Sequence, residues 1–120
     1  MAREDLDLEL LRELALQPTA SQRSLAQRLG VSVGKLNYCL HALMERGWVK
    51  ANNFRRSDNK LAYAYYLTPR GLSAKMKLTS SFLRRKETEF ELLQSQISAL
   101  RVELANDPTG AESPDALSRR

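Results

Sequence analysis

Between Ser32 and His41 the chain reads "SVGKLNYCLH", and its polar side chains carry chemistry suited to a polyanion. Lys35 can pair with a phosphate, and the N–H groups that open a helix attract anions. Asn37 has the donor and acceptor that match an adenine edge, while Tyr38 and His41 can reach thymine methyls, sugars or phosphates. Gly34 stands where Ala would favour the helix by about 1 kcal/mol. Lys35 adds a cation to a helix end that already carries roughly half a positive charge. Both choices make sense if this end, capped by Ser32 and followed by outward-facing Val33, is pressed against a DNA backbone. The plainer alternative for Gly34 is a tolerated surface glycine in the first turn.

A second basic group lies in "RRSDNK", where Arg55, Arg56, Asn59 and Lys60 would contact the backbone or the adjacent minor groove. A soluble loop tip is the alternative. Arg23, near the start of the preceding helix, is a further candidate phosphate contact.

Other chemistries fit poorly. "GVSVGK" has three residues between its glycines where a phosphate-binding loop has four, and Leu36 stands where a Ser or Thr would bind magnesium. His41 has no second ligand at metal-binding spacing, so neither metal nor cofactor is expected. One His, one Cys and no convergent acid pair argue against an enzyme. Cys39 falls on an apolar stripe, which gives it a structural role, and a lone Cys suits a reducing compartment. With no apolar run near the roughly 18 to 20 residues of a membrane span, and an acidic start "MAREDLDLEL", the chain reads as cytoplasmic with no membrane partner.

The formal charge of +5 is strongly segregated. Residues 18–88 hold 14 basic and 3 acidic side chains, whereas residues 1–17 and 89–120 are each net −3. A basic middle is the electrostatic footprint of a nucleic-acid-binding face.

The elements that must position these groups follow from periodicity. "EDLDLELLRELAL" repeats Leu at helical spacing behind an acidic start. Ser21 caps a short helix, "QRSLAQRL", that turns at Gly30, and a third helix runs from Ser32 to Arg46 with Leu36, Cys39, Leu40 and Leu43 inward. "WVKANNF" and "LAYAYYLT" then form a hairpin in which Leu61, Tyr63, Tyr65 and Leu67 share a face; Trp48 and Tyr63, Tyr65 and Tyr66 are expected in its core. From Pro69 a long helix follows, on which Leu83, Phe90, Leu93, Ile97, Leu100 and Leu104 make a dimerisation seam with coiled-coil steps from Phe90 onward. A helix over 70–105 would be roughly 54 Å long, more than one small domain can cover.

The expected fold is therefore mainly α with a small β-hairpin. Residues 1–69 form a winged helix-turn-helix, 70–105 a coiled-coil dimerisation helix and 106–120 a disordered tail.

The helix-turn-helix followed by "LTPRG" resembles the MarR family of bacterial winged-helix regulators. "GKLNYCLHAL", "NFRRSDNKLAY" and "LTSSFLRRK" resemble more closely its small subgroup associated with exopolysaccharide gene clusters. That resemblance implies a homodimeric transcriptional regulator, with Ser32–Arg46 as reading helix and 55–60 as wing. Two reading helices set about 34 Å apart would select a palindromic double-stranded operator. The sequence leaves any small-molecule effector open. An adaptor that uses the winged helix and coiled coil to bind proteins is the alternative.

Overall fold

The computed structural model describes residues 3–108. Five short elements precede one long helix: α1 (Arg3–Leu16), α2 (Gln22–Leu29), α3 (Val33–Glu45), β1 (Val49–Arg55), β2 (Leu61–Leu67) and α4 (Pro69–Ala105). The first compact unit ends at Phe82 and the second begins at Leu83, within α4.

Leucine dominates the first unit's core. Leu10, Leu11 and Leu14 of α1 pack with Leu25 of α2 and with Leu36, Leu40 and Leu43 of α3, all of them fully buried. Ala26 is buried in the same cluster, as expected for a small residue where two helices cross. Each turn is set by its punctuating residue. Ser21 accepts a hydrogen bond from Ser24 N–H and caps α2. Gly30 adopts φ +68°, and Val31 N–H reaches back to the Ala26 carbonyl at 3.0 Å, closing the α2–α3 turn.

β1 and β2 form a two-stranded antiparallel hairpin with Val49 opposite Leu67 and Arg55 opposite Leu61. β2 is tied to the helical layer by Tyr65 N–H, which donates to the Pro18 carbonyl at 2.9 Å. The expected aromatic core is only half realised. Tyr65 is buried and Trp48 and Leu67 are half-buried, but Leu61, Tyr63 and Tyr66 are exposed. Only the base of the hairpin lies over the leucine core, so the inward alternation loses its partner towards the tip.

"LTPRG" has a local explanation. The Thr68 hydroxyl accepts from Gly71 N–H at 3.1 Å, capping α4 ahead of Pro69, and donates to the Gly47 carbonyl. Thr68 N–H donates to the Trp48 carbonyl at 2.9 Å. This draws α4 so close that a Cβ on Gly71 would lie 1.9 Å from Trp48 O. Leu78, two turns further on, packs against the core. Such packing carries the compact unit past the boundary expected at residue 69. At the other end, Asn106 N–H still bonds the Val102 carbonyl at 3.0 Å, so the part of the expected tail that is described begins as a helix end. The rest of that tail, 109–120, lies outside the described residues.

One buried charge escaped the sequence reading. Asp7 of α1 is only 4% exposed and pairs with Arg46 at 3.2 Å. The Arg46 guanidinium also lies 5.0 Å over the Trp48 ring. Burial raises the Asp7 carboxyl above the usual value of 3.8, with Arg46 pulling the other way.

Two outcomes follow. Gly71→Ala should cost about 3 kcal/mol, at the upper end of overpacking penalties, and lower the thermal midpoint by more than about 10 °C. For Asp7, the native chain takes up a proton before the unfolded chain as pH falls. This group's contribution to stability therefore grows from neutral pH towards 4 and is lost as pH rises. Urea titrations should show wild type gaining on Asp7→Asn as pH falls; the opposite trend would mean that the Arg46 pair outweighs burial.

Candidate nucleic-acid interface

Most of the α3 residues expected to face DNA lie on the exposed start of that helix. Ser32 is the N-cap of α3, its hydroxyl accepting from Lys35 N–H at 3.1 Å. Val33, Gly34, Lys35, Tyr38 and His41 are exposed, with Tyr38 64% accessible. A Cβ on Gly34 would have no neighbour within 4 Å, so nothing in the fold requires glycine there. Arg23 is exposed in the first turn of α2.

Asn37 differs from its neighbours. It is half-buried on the α2 flank, and its Nδ2 donates to Gln22 Oε1 at 3.1 Å. Gln22 Nε2 in turn donates to the Tyr65 hydroxyl at 3.1 Å. Gln22 is a residue that the sequence reading missed, because only the turn at Gly30 brings it beside Asn37. Arg3 was missed too. Its guanidinium lies 5.7 Å over the Tyr38 ring and adds a cation beside α3.

At the wing tip Asn59 takes φ +63°, the left-handed conformation that Asn tolerates better than most residues. Its N–H donates to the Arg56 carbonyl, and the Asp58 carboxylate accepts from Lys60 N–H. Asn59 thus shapes the turn that displays its neighbours. Arg55, Arg56 and Lys60 are exposed; Arg55 donates to the Asn59 carbonyl, and Arg56 lies 3.6 Å from Asp58. Solvent screening keeps that exposed pair weak. Between the wing and the start of α2 runs an open cleft of about 640 Å³, lined by Ser21, Gln22, Phe54, Arg56, Tyr63 and Tyr65 among others.

The electrostatics separate the helices. The first turn of α1 holds Glu4 and Asp5, whereas α2 and α3 have no acid in theirs. Anions are therefore favoured at the starts of α2 and α3, beside Arg23 and Lys35. Cys39 lies in the core, where burial pushes its thiol up.

Of the second unit's α4 residues, Leu83, Phe90, Leu93, Ile97, Leu100 and Leu104 are all exposed, as are Leu92 and Val102. Among the described residues no three of His, Cys, Asp and Glu gather into a metal site, and no helix is long and apolar enough to cross a membrane.

Helix, helix, left-handed turn, helix and hairpin define a winged helix-turn-helix domain. Residues 3–50 match the family described as winged helix-turn-helix DNA-binding. Among curated proteins the sequence has no match.

Solved structures share the fold. A PadR-like transcriptional regulator from Bacillus cereus is 19% identical with a TM-score of 0.68, over 74% of this chain and 91% of that one. The PcaV transcriptional regulator from Streptomyces coelicolor, solved with its natural ligand, is 20% identical with a TM-score of 0.61, over 82% and 69%. A MarR-family regulator from Silicibacter pomeroyi is 20% identical with a TM-score of 0.56, over 84% and 70%.

Proposed function

We propose that this protein is a sequence-specific, dimeric DNA-binding transcriptional regulator. The observation that carries the reading is the start of α3: acid-free, open at Gly34 and led by exposed Lys35. A helix end that keeps a cation at its positive pole and leaves space unfilled is poorly adapted to the free protein and well adapted to a phosphate backbone. The exposed wing residues Arg55, Arg56 and Lys60, together with Arg23, extend the same positive surface. Asn37, Tyr38 and His41 are the proposed base and sugar contacts, with Ser32 and Val33 at the approach and Asn59 shaping the wing.

Dimerisation is assigned to α4. A helix with Phe90, Leu93, Ile97, Leu100 and Leu104 exposed at coiled-coil spacing can bury them against a second copy. Two copies related by a two-fold axis would read a palindromic site. The target class, exopolysaccharide genes, rests on the resemblance of "GKLNYCLHAL" and "NFRRSDNKLAY" alone.

The direct test is a mobility shift on selected duplex DNA. Affinity should fall by at least about a thousandfold between 50 and 200 mM salt, since six to ten phosphate contacts are expected per dimer. Lys35→Ala, Asn37→Ala and Arg55→Ala should each weaken binding. If they leave it unchanged, the protein-binding adaptor becomes the better reading. Gly34→Ala should keep or raise thermal stability, by up to about 1 kcal/mol, while weakening DNA binding; unchanged affinity would make Gly34 an ordinary surface glycine. Truncation after Arg85 should leave a folded, largely monomeric domain, and a dimer of undiminished affinity by sedimentation would remove α4 from the interface.

A further inference from the structure

We propose that Gln22 is a positioning residue for base reading, fixing the Asn37 amide so that its carbonyl oxygen and one N–H face an adenine edge. The proposal rests on the DNA-binding reading above. Its basis is the chain Asn37 Nδ2 to Gln22 Oε1 to Tyr65, two side-chain hydrogen bonds of 3.1 Å that join α3, α2 and β2. Both bonds are partly buried, so they hold the amides in place better than water would.

Polarity is what matters in this chain. A primary amide has one acceptor oxygen and two N–H donors. Giving one N–H to Gln22 leaves Asn37 with its oxygen and one N–H. Adenine presents an N7 acceptor and an N6 donor in the major groove, the matching pair, whereas guanine presents two acceptors, N7 and O6. Were both amides turned over, Gln22 would donate to Asn37 Oδ1 and two Asn37 N–H groups would be left outward, which suits guanine. The direction of the Gln22 bond therefore selects between the two purines. The Tyr65 hydroxyl, on a wing strand, accepts from Gln22 Nε2 and anchors the far end of the Gln22 side chain, whose Oε1 accepts from Asn37.

The experiment uses the full chain. Binding sites are enriched from a randomised duplex library, and single-base variants of the enriched site are titrated by fluorescence anisotropy at fixed salt. Wild type should prefer adenine at one position per half-site, and Asn37→Ala should remove that preference. Gln22→Leu, which keeps bulk but cannot hydrogen-bond, should reduce the preference at the same position by roughly tenfold and leave the salt slope unchanged.

Gln22→Glu is the discriminating variant. Its carboxylate can only accept, so it forces Asn37 to donate; adenine preference should survive while affinity for every sequence falls from the added negative charge. Tyr65→Phe should loosen the preference partially. If both Gln22 variants keep the wild-type profile while Asn37→Ala loses it, Gln22 has no positioning role and the DNA reading stands. Loss of the preference in Gln22→Glu, guanine at the Asn37-dependent position, or a preference indifferent to Asn37→Ala also overturns the proposal. A wild type that enriches no sequence overturns it together with the DNA reading.

Discussion

The main chain at Trp48 is where the first unit is tied together. Its N–H closes the end of α3 on the Leu43 carbonyl, and its own carbonyl accepts from Thr68 as the chain leaves β2. Gly71 lets the first turn of α4 lie against that same carbonyl, and the indole ring carries the Arg46 guanidinium that reaches Asp7 on α1. Four elements thus converge on one residue through contacts that tolerate little displacement. Three of these contacts are with the Trp48 backbone, and no side-chain rearrangement can relieve them. The leucine core supplies most of the buried apolar surface, but leucines pack in many ways; the Trp48 junction helps choose one.

This rigidity explains how a weakly optimised helix start can persist. The first turn of α3 contributes little to the core, since Val33, Gly34 and Lys35 are exposed and burial begins at Leu36. Stability comes from the later turns, where Leu36, Cys39, Leu40 and Leu43 enter the cluster. The chain can therefore leave a cation and a glycine at the N-terminal pole at a cost of only about 1 kcal/mol, with the buried packing of the domain intact. Glu4 and Asp5 in the first turn of α1 show the arrangement that the helix dipole favours.

Local signals carried most of the architecture. Ser21, Ser32, Gly30 and Pro69 mark element ends by chemistry that acts within a few residues, and in α1, α2 and α3 the leucine periodicities name the buried faces. What the sequence hid was non-local. Whether Tyr63 or Tyr66 is covered depends on how far the leucine core extends beneath the hairpin, which alternation along a strand does not encode. The Asp7–Arg46 pair spans 39 positions and the Gln22–Tyr65 bond 43. In the candidate interface, the exposed cations and aromatics of α3 were readable one by one. Arg3 and Gln22 were not, because their contacts with Tyr38 and Asn37 exist only once the tertiary fold has placed those neighbours.

Cys39 gives the domain a built-in reporter. It is the chain's single cysteine, and it is packed in the same cluster as Leu10, Leu25 and Leu36 with its thiol held in the unreactive protonated form. An alkylating reagent can reach the sulfur only when the three-helix core opens, so the labelling rate tracks the population of opened molecules when reclosing is fast. The core's breathing can thus be followed in the unmodified protein, without an engineered probe, in the presence or absence of whatever the exposed surface binds.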